Sequence, residues 1–107
     1  MDIKNDFDNY NEICAVKVDI SKIKQSISFI ISNIKDYEFR TTVYPKYINF
    51  ENCISIAKYL GSVGAKKYVL QQYKKVPGLN VIPFSSEKLL EIQKSCNEFV
   101  PTYLRGI

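Results

Sequence analysis

The chain has 107 residues, 46% hydrophobic and 24% charged, with a net charge of +4. That suits one compact soluble domain and is too short for two ordinary ones, and no apolar run approaches the roughly 20 residues of a membrane span. The absence of histidine excludes a Ser-His-Asp or Cys-His catalytic unit and a histidine-ligated zinc, while Cys14, Cys53 and Cys96 stand too far apart for a CxxC metal motif.

Residues 1 to 12 are polar and rich in Asn and Asp. They read as a loose lead-in and not as a signal peptide, so a cytoplasmic location is expected. Ile13 to Val18 reads as a short strand. Asp19 then caps a helix whose inner face is Ile20, Ile23, Ile27, Ile30, Ile31 and Ile34. Isoleucine lowers helix propensity slightly, so packing must hold this helix.

Tyr37 to Val43 reads as a buried strand with two unlike faces. Tyr37, Phe39, Thr41 and Val43 point one way, and Glu38, Arg40 and Thr42 the other. The second row would be costly to bury without a partner or ligand. Pro45 ends the strand. Asn49 caps a second helix with Phe50, Cys53, Ile54, Ala57 and Leu60 on its apolar stripe, and Gly61 and Gly64 supply the stop and turn. Lys67 to Tyr73 is a further strand with a polar C-terminal end. After a loop with Pro77, Gly78 and Pro83, Ser85 or Ser86 caps a third helix carrying Leu89, Ile92, Cys96 and Phe99. Val100 to Gly106 reads as extended.

Strands alternating with helices imply parallel strands joined by right-handed crossovers. The expected fold is α/β, a partial (β/α) barrel of about three βα units. Ligands in such folds sit at the carboxyl ends of the strands. Arg40, Thr41 and Thr42 would then neighbour Gln71, Gln72 and Tyr73 at one edge. The pairs Lys66-Lys67 and Lys74-Lys75 read as solvated surface, so nucleic-acid binding through them with Tyr68 and Tyr73 is disfavoured.

The Tyr37 to Val43 run, the Lys67 to Tyr73 run and Arg105-Gly106, together with the helix start Val18 to Ile27, resemble the C-terminal half of radical S-adenosylmethionine activating proteins. Similarity is greatest to those that activate anaerobic ribonucleoside-triphosphate reductase, over about residues 13 to 106. The resemblance implies a partial barrel that binds S-adenosylmethionine and a [4Fe–4S] cluster and installs a glycyl radical on a partner reductase. It assigns Glu38, Arg40, Thr42, Gln71, Gln72 and Tyr73 to the cofactor pocket, with Arg40 at a position that reaches the cofactor carboxylate. An arginine fork suits that task. Which of Gln71, Gln72 and Tyr73 points inward stays open.

The family holds its cluster with a CxxxCxxC motif, which this chain lacks. No residue here is therefore expected to be catalytic or to ligate a metal. The chain is expected to act as a C-terminal piece that needs a missing N-terminal half, with self-association as the other outcome for an open half barrel. The competing reading of Arg40 is an internal ion pair with Glu38 or another acid. The competing reading of the chain is a non-enzymatic interaction module built from such a domain. No membrane partner is expected.

Overall fold

The computed structural model describes residues 1–13 and 17–107. In chain order they form α1 (Tyr10–Ile13), α2 (Ile20–Asn33), β1 (Phe39–Val43), α3 (Phe50–Ser62), β2 (Tyr68–Gln72), α4 (Ser86–Cys96) and β3 (Thr102–Arg105). The sheet order is β1-β2-β3 with both pairings parallel. This is the mixed α/β fold with parallel strands that the alternating pattern predicts, with a long helix between successive strands.

The helix starts follow from local chemistry. Asp19 accepts a bond from the Ser21 amide. Asn49 and Asn52 cap each other reciprocally at the start of α3. Of the two serines offered for α4, Ser85 is the cap, accepting from the Lys88 amide at 3.1 Å. Each bond satisfies an amide that has no partner within the helix.

Two expectations about the N-terminal region need correction. Residues 1 to 12 are not a loose lead-in. Asp2 bridges Arg40 in parallel, with the Ile3 amide donating to the Arg40 carbonyl at 2.7 Å and the Arg40 amide to the Met1 carbonyl at 2.9 Å. Ile3 and Asn5 are fully buried. The lone Ile3 among polar residues is enough for a bridging segment because only one of its faces meets the core. The strand expected at Ile13 to Val18 differs too. Ile13 closes α1, Lys17 and Val18 lie in no regular element, and residues 14 to 16 lie outside the described residues. The position beside β1 is taken by residues 1 to 3 instead.

One core holds the layers together. Ile23 and Ile27 of α2, Cys53, Ile56, Ala57 and Leu60 of α3, and Leu89, Ile92 and Cys96 of α4 cluster with Phe39, Val43, Tyr68 and Leu70 from the sheet. Each fully buried large side chain contributes about 1.5–3 kcal/mol. Inside this core the Tyr68 hydroxyl donates to Thr41 Oγ1 at 2.6 Å, and Thr41 Oγ1 donates to the Ile3 carbonyl at 2.8 Å. The chain of bonds ties β2, β1 and the N-terminal segment across their packed face. Low-dielectric surroundings push the Tyr68 hydroxyl well above its ordinary pKa.

Gly61 does not stop α3, as the sequence suggests; it lies within the helix. A Cβ there would come 2.2 Å from the Phe99 carbonyl oxygen, so Gly61 permits the close approach of the segment after α4. The turn belongs to Gly64, at φ +86°. Helix propensity alone favours Gly61→Ala by about 1 kcal/mol. The backbone clash reverses that sign, and Gly61→Ala is expected to destabilise the fold by about 1–3 kcal/mol in urea unfolding. A more stable Gly61→Ala protein would refute the close approach.

Candidate functional site

The strand register divides the sheet into two faces. Phe39, Thr41 and Val43 pair with Tyr68, Leu70 and Gln72, and all three β1 residues are buried. Arg40 and Thr42 are exposed on the opposite face, beside Val69 and Gln71, which neighbour Tyr103 and Arg105 in β3. The polar row is therefore not sequestered, as a buried strand would have required. It forms an open sheet face whose polar groups surround a buried Val69, and the helical core lies on the other side.

Glu38 and Arg105 brace this face. Arg105 Nη1 and Nη2 donate to Glu38 Oε2 and Oε1 at 2.6 and 3.0 Å, a two-pronged pair between the start of β1 and the end of β3. Lys67 Nζ stands 3.9 Å from the same carboxylate and 5.6 Å from the Tyr103 ring centroid. The Arg105 hydrogen bond holds the Glu38 carboxyl below its ordinary value, with the charges of Arg105, Lys67 and Arg40 acting in the same direction. Among the described residues, the Arg40 guanidinium makes no hydrogen bond or ion pair of its own; the partner of Glu38 is Arg105. Arg40 stands in the first half of β1, away from the carboxyl edge where the sequence suggested it.

The remaining candidates separate. Gln72 is on the helix side; its Nε2 donates to the Phe84 carbonyl at 2.8 Å and its Oε1 accepts from the Tyr73 amide at 3.0 Å. Gln71 is on the open face, tight against Gly106, where a Cβ would sit 2.5 Å from its amide nitrogen. Thr42 and Tyr73 meet at the carboxyl edge, where a recess of about 160 Å³ is lined by Asp2, Lys4, Thr42, Tyr44 and Tyr73. The Tyr44 and Tyr73 rings pack edge to face at 4.7 Å. Thus the six candidates are not one cluster. Glu38, Arg40 and Gln71 lie on the face, Thr42 and Tyr73 line the edge, and Gln72 supports the loop before α4.

Sequence reasoning missed Asp2, Lys4, Lys67 and Tyr44. The polar alternation of residues 2 to 4 around Ile3 was the available signal for the first two. The partnership of Glu38 with Arg105 had none, because it spans 67 residues and depends on the register of three strands.

A second cleft, of about 270 Å³, lies between the N-terminal segment, α2 and α3. Its floor is Ile3, Ile27, Ile56 and Leu60, and the Lys24 ammonium sits 5.1 Å from the Phe7 ring centroid and 5.7 Å from that of Tyr59. It belongs to the helix layer, apart from the polar face.

Among the described residues no three His, Cys, Asp or Glu side chains gather as a metal site. Cys53 and Cys96 are buried, and the Cys96 thiol contacts the Cys53 carbonyl at 3.6 Å. Burial raises both thiols, Cys96 to about 12. Compared with family models, curated proteins and solved structures, the chain matches none. No helix among the described residues is long and apolar enough to cross a membrane.

Two outcomes follow from this chemistry. In a Cys14→Ser background, iodoacetamide at pH 8 is expected to leave Cys53 and Cys96 unmodified in the folded protein and to alkylate both in urea; rapid labelling of the folded chain would contradict their burial. Because Glu38 is lowered in the folded state from about 4.5, its contribution is fully present above the ordinary glutamate range and fades as pH falls through the lowered value. Glu38→Gln should therefore reduce Tm slightly at pH 7, and the difference should vanish in acid; a loss that grows in acid would reject the Arg105 brace. The effect is small because solvent screens a pair this exposed.

Proposed function

We propose that this chain is the cluster-free, C-terminal part of a radical S-adenosylmethionine activating protein, working in the cytoplasm on an anaerobic ribonucleotide reductase. One observation carries the reading: a parallel sheet whose open face presents an unpaired Arg40 guanidinium. Parallel sheets are ordinarily covered on both faces. A polar open face suits a ligand and a second structural half better than it suits bulk water. Arg40 would grip the cofactor carboxylate, with the brace of Glu38 and Arg105 limiting where the rest of the molecule lies. The resemblance supports the choice of S-adenosylmethionine, which is larger than the edge recess and would extend across the face.

The residues here fit the polar ends of that cofactor and do not fit its cluster. The ligating thiolates would come from an N-terminal half bearing CxxxCxxC, and reductive cleavage of the cofactor belongs to that assembled site. This chain's own part is to bind and orient.

Calorimetry with S-adenosylmethionine tests the reading. The wild-type chain is expected to bind, and Arg40→Ala to bind at least tenfold more weakly. Anaerobic treatment with iron and sulfide should leave no stoichiometric four-iron cluster, and a clean four-iron spectrum would sink the proposal.

A second reading rests on β3, which pairs only with β2 among the described residues. Its free edge can accept a strand from another protein, making the chain an interaction module. That reading takes over if Arg40→Ala abolishes partner capture while S-adenosylmethionine never binds.

A further inference from the structure

We propose that the recess at the carboxyl edge of the sheet is a phosphate site, with Tyr73 as its buried donor. Tyr73 is 8% exposed, and its hydroxyl is buried with no hydrogen-bond partner among the described residues. Native proteins leave few such groups unpaired because the desolvated hydroxyl loses its bonds to water. A phenylalanine would pack against Tyr44 without that cost. A ligand in the recess that Tyr73 lines would restore that bond once the ring turns its hydroxyl toward it.

The surroundings define the ligand. The recess, of about 160 Å³, has room for a phosphate. Thr42 contributes a second hydroxyl and Lys4 an ammonium. The one acid in the lining, Asp2, forms an ion pair with Lys4. Hydroxyls and an ammonium, with no arginine fork among them, suit a tetrahedral oxyanion better than a flat carboxylate. Residues 39 to 48 and 68 to 80 contain no acid, and they carry Lys46, Lys74 and Lys75 beside Tyr44 and Tyr73. The carboxyl ends of parallel strands are also where α/β sheets take their ligands.

This site does not depend on S-adenosylmethionine, which contains no phosphate. The phosphate bound is either the free ion or the end of a larger phosphomonoester. Inorganic phosphate and glycerol phosphate, each against chloride at matched ionic strength, separate the two in thermal melts and calorimetry. Phosphate is expected to raise Tm where chloride does not. A tighter fit for glycerol phosphate assigns the ester, and equal or weaker binding assigns the free ion. Tyr73→Phe is expected to raise Tm without ligand by a few degrees, having removed an unpaired hydroxyl, and to bind phosphate at least tenfold more weakly. If Tyr73→Phe does not fold, Thr42→Val at the exposed rim is expected to show the same loss. No phosphate effect beyond chloride overturns the proposal, as does wild-type phosphate binding in Tyr73→Phe or, where that variant fails, in Thr42→Val. Tyr73-dependent binding of S-adenosylmethionine without phosphate binding would hand the recess to that cofactor.

Discussion

Everything on the open face depends on a hydrogen-bond chain buried beneath it. Tyr68 donates to Thr41, and Thr41 donates to the Ile3 carbonyl. These bonds join three parallel segments on the side where the helices pack. They also settle hydroxyls that would otherwise be expensive in an apolar core. Side chains alternate along a strand, so a slip of one residue would exchange the faces. Arg40 and Thr42 would then enter the core, while Phe39 and Thr41 would meet water. Register is thus the constraint that makes a polar face available.

That face spreads its charges unevenly. Arg105 engages Glu38 through two bonds, and Lys67 approaches the same carboxylate. With Glu38 so engaged, the Arg40 guanidinium makes no hydrogen bond or ion pair among the described residues. At the carboxyl edge the groups are smaller and partly dry, down to the hydroxyl of Tyr73. The two regions differ in chemistry: a planar cation on an open surface, and hydroxyls with an ammonium around a small recess. A sheet with only one face packed against helices can hold both, because its second face need not satisfy a core.

The sequence made the helices legible because caps and apolar spacing are local signals. Asp19, Asn49 and Ser85 each read as caps and act as caps. The alternation in Phe39 to Val43 likewise foretold which side chains pack. It could not tell whether the other face was covered, and so the polar row looked buried. Ile3 shows the reverse case. One apolar residue between two polar ones is too short an alternation to mark a strand, and its strand-like role exists because β1 offers a free edge.

By itself, then, the sequence determined an α/β chain of parallel strands, the starts of the three long helices and the packed side of β1, since propensity, capping and alternation act over a few residues. Only the tertiary structure decided that Glu38 belongs to Arg105, that Gln72 turns to the helix side and that Thr42 meets Tyr73 and Tyr44 at a recess. Those pairings join residues far apart in sequence. They follow from strand register and chain crossovers, which the core sets as a whole.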